Sequence, residues 1–116
     1  LKDLQIQIQA CEIKREEDGL AMSSRNTLLT KTERTAAANI SKILFLYSSK
    51  WKELRVADIK EKVVSDINKV PELKTEYFEI TDNDSLQSVN EITEGKTTAC
   101  IAVYAGKIRL IDNYSF

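Results

Sequence analysis

A chain of 116 residues is about one domain long, enough to bury a core without disulfides or a structural metal. Its net charge of −1, from 17 basic and 18 acidic residues, lacks the basic surplus of a nucleic-acid surface, and a hydrophobic content of 42% argues against disorder. The histidine count is zero, which excludes serine and cysteine triads in their common form and leaves any chemistry to carboxylates, lysine, arginine and hydroxyls, or to another chain.

Leu1 to Ile13 reads as an extended stretch in which Leu4, Ile6 and Ile8 alternate with Gln5, Gln7 and Gln9, the period of a half-buried strand. The chain opens in mid-pattern, so Leu1 is expected not to be a natural beginning. Lys14 to Thr30 is a polar loop with a turn dipeptide at Asp18-Gly19. Thr30, with Glu33 three residues on, makes a capping box, and Ala36, Ile40, Ile43, Leu44, Tyr47 and Trp51 recur at helical spacing, which predicts a helix over 31–50. A second helix is predicted over 56–69 from Ile59, Val63, Ile67 and Val70, stopped by Pro71. The period then changes. Tyr77–Ile80 is a short strand, Asp82–Ser85 is turn chemistry, and 97–104 and 107–111 are strands joined by a hairpin at Ala105-Gly106. Two helices over about three antiparallel strands make a two-layer α+β domain.

No apolar run approaches the roughly 20 residues of a membrane span, no polybasic run suits an anionic membrane, and no signal-peptide pattern opens the chain. The expected compartment is the cytoplasm. Cys11 and Cys100, far apart in strand-like surroundings, could in principle pair as a disulfide, but two reduced core thiols are the plainer reading, and without histidine or a CxxC they assemble no ordinary zinc site. Trp51, Tyr47, Phe78 and Tyr104 sit on apolar faces and are expected in the core. Glu16, Glu17 and Asp18 could form a Mg²⁺ cluster, but solvated acids, or partners for Arg15 and Lys14, are the plainer reading.

The sharpest local feature is Ser23-Ser24-Arg25-Asn26, ahead of a capped helix. Two hydroxyls offer neutral donors and arginine a planar, permanently charged fork matching phosphate oxygens. The helix start lies several residues downstream, so its dipole assists only weakly. A word this short is most often a solvated loop. The longer word around it decides the matter.

Arg15-Glu16-Glu17-Asp18-Gly19-Leu20-Ala21-Met22-Ser23-Ser24-Arg25-Asn26 resembles the signature loop of the pantothenate synthetase (pantoate–β-alanine ligase) family, RE-x-DGLA-M-SSRN, over a dozen contiguous residues. The likeness continues through Leu29-Thr30 and Arg34-Ala36 and closes in Arg109-Leu110-Ile111-Asp112-Asn113, similar to the family's terminal RLIDN strand. It covers the whole chain. The chain departs from the family pattern at Lys14, where valine is usual, and at Glu12, where proline is common.

The resemblance implies a fold in which a large Rossmann-like N-terminal domain is capped by a small C-terminal one. It implies an ATP-dependent ligase, homodimeric, that joins pantoate to β-alanine through pantoyl adenylate, with Mg²⁺ on the phosphates. The loop is similar to the mobile KMSKS loop of class I aminoacyl-tRNA synthetases. Carried over, Met22, Ser23, Ser24 and Arg25 lie along ATP, Ser24 and Arg25 stabilise the transition state, and Lys14 holds the adenine end through its main chain. The family's paired histidines, pantoate-binding residues and phosphate-binding lysine have no counterpart here, so residues 1–13 are expected to be the last strand of the missing domain and 14–116 its lid, inactive alone. The competing class is a non-catalytic α+β interaction or regulatory module. Such a module needs its apolar stripes and its hairpin but has no need of DGLAMSSRN.

Overall fold

A computed structural model describes residues 14–116. The strand expected over Leu1–Ile13, with Cys11 and Glu12, lies outside the described residues. A 3₁₀ turn at Ser24–Leu28 is followed by α1 (Lys31–Ser48), α2 (Val56–Asn68) and three strands, β1 (Leu73–Asp82), β2 (Thr97–Ala105) and β3 (Ile108–Ser115). The strands form one antiparallel sheet in the order β1-β2-β3. Both helices cover one face of it. The expected two-layer α+β architecture is what the chain adopts.

The helices begin and end for the expected reasons. Thr30 Oγ1 accepts the Glu33 N–H and the Glu33 carboxylate accepts the Thr30 N–H, so the capping box closes in both directions. The stripe of α1 buries Ala36, Ile40 and Leu44, with Ile43, Tyr47 and Trp51 half-buried against the core. From α2, Ile59, Val63 and Ile67 are fully buried. They meet Phe78 and Ile80 of β1 and Ala99, Ile101 and Val103 of β2. Each large aliphatic group in this layer contributes roughly 1.5–3 kcal/mol through burial. Gly106 has φ +61° at the β2–β3 turn, where a methyl group would also collide with the Glu33 carboxylate. The hairpin therefore seats against the capped end of α1, a position only glycine fills.

Four expectations need correction, the simplest being that β3 runs on to Ser115, past the expected 107–111. β1 runs from Leu73 to Asp82, longer than the predicted Tyr77–Ile80, because a bulge between Thr75 and Tyr77 breaks the alternation that marks a strand. Tyr104 and Cys100 lie on the outer face of β2, not in the core, because the alternation that sends Ile101, Val103 and Ala105 toward the helices turns their neighbours away. Tyr104 donates its hydroxyl to Glu76 at 3.1 Å, and Cys100 is a free thiol whose pKa is raised by partial burial. Phe78 is buried, whereas Trp51 and Tyr47 reach only the rim. Trp51 stands edge-on to Phe116, and the Tyr47 hydroxyl donates to Asp66 of α2.

Candidate functional site

The segment expected to carry chemistry has a fixed base and an open tip. Its base is a small turn: the Glu16 N–H donates to the Leu20 carbonyl at 2.8 Å, Gly19 to Glu16 at 2.9 Å, and Met22 to Lys14 at 2.8 Å. Gly19 makes the bend at φ +92° and lies so close to α1 that a Cβ would stand 3.0 Å from Ser41 Oγ. The Asp18-Gly19 bend thus presses the segment onto α1. Leu20, 2% exposed, plugs it into the core.

Arg15 is the strongest link between this base and the sheet. Its guanidinium forms a two-pronged pair with Asp112 of β3, Nη2 to Oδ1 at 2.8 Å and Nη1 to Oδ2 at 2.9 Å. Nη1 also donates to the Gly19 carbonyl at 3.0 Å, and the group lies 4.6 Å from the centre of the Phe45 ring. Asp112 is 1% exposed, yet its charge is matched and its Oδ1 also accepts the Asn113 N–H at 2.7 Å. A buried carboxylate is tolerable on these terms.

Of the loop acids, Asp18 and Glu17 are exposed, and the partner of Asp18 is not one of those expected. Asp18 pairs in two-pronged fashion with Arg34 of α1, at 2.7 and 3.2 Å, and not with Arg15 or Lys14. The turn points Asp18 at the first turns of the helix while Arg15 crosses to the strand. Among the described residues no three acidic or thiol groups converge as a metal site would require. The Arg34 hydrogen bonds, opposed by slight burial, hold the Asp18 carboxyl below the ordinary aspartate value of 3.8. A depressed folded pKa gives stability that is complete above the unfolded value and lost as pH falls through the folded one. Asp18→Asn should therefore flatten the loss of stability as pH falls below about 5, read as denaturant midpoint against pH. An unchanged slope would show that the pair is too solvated to matter.

The tip is Met22-Ser23-Ser24-Arg25. All four residues are exposed, Met22 by 53%. Ser23 caps the 3₁₀ turn by accepting the Arg25 N–H at 3.2 Å, which leaves its own hydroxyl proton free to donate. Arg25 spends one N–H on the Arg109 carbonyl of β3 at 3.3 Å and makes no ion pair among the described residues. The rest of its fork is available. Lys14 is exposed, and its carbonyl accepts the Met22 N–H while keeping a second lone pair. The structure thus gathers Met22, Ser23, Ser24 and Arg25 on one short stretch, with the Lys14 main chain joined to its start.

Asn26 does something else. It is 7% exposed and donates to the Ala21 carbonyl at 3.0 Å, tying the tip back to the base. Reading the residues in sequence missed this role, as it missed Arg15 and Asp112. The available signal was that these residues stand inside the two most family-like words of the chain. Two surface hollows lie elsewhere, about 740 Å³ beside Trp51 and Arg55 and about 490 Å³ beside Lys31 and Glu72; neither is lined by the tip. The tip is thus an exposed row of donors without walls among the described residues.

Comparison with known proteins identifies one family over nearly the whole chain. The family model described as pantoate-beta-alanine ligase matches residues 1–115. A pantothenate synthetase of Clostridium acetobutylicum is 47% identical over 113 residues, 96% of this chain and 40% of that protein. One from Bacteroides thetaiotaomicron is 41% identical over 115 residues, 98% of this chain and 41% of that protein. The chain spans about two fifths of the length of these relatives. Among solved structures, a pantothenate synthetase from Thermus thermophilus superposes with a TM-score of 0.78 at 29% identity, covering 89% of this chain and 37% of that one. A pantoate-beta-alanine ligase from Francisella tularensis, complexed with beta-gamma ATP and beta-alanine, gives 0.59 at 30% identity, covering 90% of this chain and 31% of that one.

Proposed function

The chain belongs to the pantoate–beta-alanine ligase family, and from that premise we propose that residues 14–116 are the ATP-phosphate-binding lid of a cytoplasmic, homodimeric ligase that condenses pantoate with β-alanine. Residues 1–13 then belong to the preceding nucleotide-binding domain, and the lid alone is inactive. The observation that carries this reading is the exposed Ser23-Ser24-Arg25 tip on a base that is tied to both layers of the fold.

In the first half-reaction the pantoate carboxylate attacks the α-phosphorus of ATP and the bond to pyrophosphate breaks, so negative charge grows on the leaving oxygens. Arg25, with the hydroxyls of Ser23 and Ser24, meets that charge with donors already in place. Met22 lays its exposed side chain along the nucleotide, and the Lys14 main chain takes the adenine edge. In the second half-reaction β-alanine displaces AMP from the pantoyl adenylate. Mg²⁺ would neutralise phosphate charge. In this reading the other domain and the nucleotide hold it, as Mg²⁺ commonly takes one or two carboxylates together with substrate phosphates. Closure of the lid removes water and strengthens each of these interactions.

The test is a product assay on the polypeptide that carries this sequence together with its nucleotide-binding domain. Pyrophosphate release from ATP should require pantoate, and AMP release should require β-alanine in addition. Pyrophosphate release indifferent to pantoate would remove the proposal.

A further inference from the structure

The tip and the base are held to β3 by links of very different strength. Arg25 reaches it by one exposed hydrogen bond to a neutral carbonyl, at 3.3 Å. Arg15 reaches it by two charge-assisted bonds, at 2.8 and 2.9 Å, to a carboxylate that is 1% exposed. Arg15 is also joined rigidly to the tip. It forms a bridge with Ala21, whose neighbour Met22 bonds to Lys14 and whose own carbonyl holds buried Asn26, next to Arg25 in the chain. A displacement of Arg15 is therefore transmitted to Ser23, Ser24 and Arg25, whereas the Arg25 contact can break without disturbing anything beneath it.

We propose that Arg15, through its ion pair with Asp112, is a positioning residue that sets where Ser23, Ser24 and Arg25 meet the triphosphate. The inference rests on the function proposed above. In this role Arg15 acts through the loop and not on the substrate. Its guanidinium is enclosed by Asp112, the Gly19 carbonyl and the Phe45 ring. In this arrangement β3 serves as the reference for the loop. Asp112 holds the fixed end, and the Arg109 carbonyl is a resting place from which Arg25 departs when a phosphate arrives.

A purely structural pair would affect how much protein folds and nothing else, so the test is kinetic. The double variant Arg15→Met, Asp112→Asn removes both charges and leaves no unpaired ion buried, so it is expected to fold. In the enzyme with both domains it should raise the KM for ATP about tenfold and slow single-turnover adenylate formation by a similar factor or more, since misplacement on the order of 1 Å can cost 10²-fold. The kcat/KM for β-alanine should stay within about twofold, because the second half-reaction does not use the triphosphate. Arg15→Lys, which keeps the charge and loses the fork, should fall between, at about threefold for ATP. A folded double variant with ATP kinetics of the parent would overturn the proposal. Should that variant not fold, Arg15→Lys decides: a raised KM for ATP supports the proposal and an unchanged one overturns it. Arg25→Ala is assayed in parallel. If it too leaves adenylation unchanged, the tip is not the phosphate site and the underlying function has failed; if it alone slows adenylation, only the positioning role has failed.

Discussion

Replacing Arg15 by alanine should cost this chain about 3–5 kcal/mol of stability, the usual penalty for stripping a buried ion of its partner. Asp112 would keep only the N–H of Asn113 for its charge, at a position 1% exposed on the helix-facing side of the sheet. The loop would lose its tie to β3 and the contact with Phe45 in the same step. For a domain of this size such a loss lowers the melting temperature by more than about 10 °C. Thermal unfolding followed by circular dichroism measures it. A fall worth less than about 1 kcal/mol would mean that water reaches the carboxylate and that the pair is only a surface contact.

Replacing Arg25 by alanine should do the reverse, leaving the fold alone and removing chemistry. Arg25 is exposed and makes a single hydrogen bond to another element, so its loss should change stability by no more than about 0.5 kcal/mol. In the enzyme with both domains, adenylate formation should slow by about 10²–10³, the typical cost of losing one donor aimed at developing charge. Rapid-quench measurement of a single turnover isolates that step from product release. The variant should keep its affinity for β-alanine, because in the proposed role the arginine addresses the triphosphate. A normal adenylation rate would detach Arg25 from the transition state.

Local patterns carried most of the architecture. Thr30 and Glu33 announced the start of α1 because a capping box is complete within four residues, and the stripes of Ile40–Leu44 and Ile59–Ile67 required only helical periodicity. What could not be read locally depends on register between distant segments. Arg15 and Asp112 lie 97 positions apart, and nothing in either neighbourhood says that a guanidinium will find a carboxylate there. Tyr104 and Cys100 looked like core residues because β2 is apolar on both faces; only the placement of the helices tells the faces apart. The site divided in the same way. Ser23, Ser24 and Arg25 were legible as a donor-rich word, and Met22 only through the family resemblance. Asn26, in the same word, supports the loop instead, a distinction that rests on its burial against the Ala21 carbonyl.

In the proposed function the tip grips a triphosphate only when another domain supplies the opposite wall. Titrating ATP calorimetrically into this chain alone, and into the polypeptide that also carries the nucleotide-binding domain, tests it directly. The larger protein should bind ATP, and Arg25→Ala should weaken that binding. The chain alone should bind no more tightly than about 1 mM, roughly −4 kcal/mol. Micromolar binding by the chain alone, about −8 kcal/mol, would contradict the claim, since a complete nucleotide site would then lie within these 116 residues.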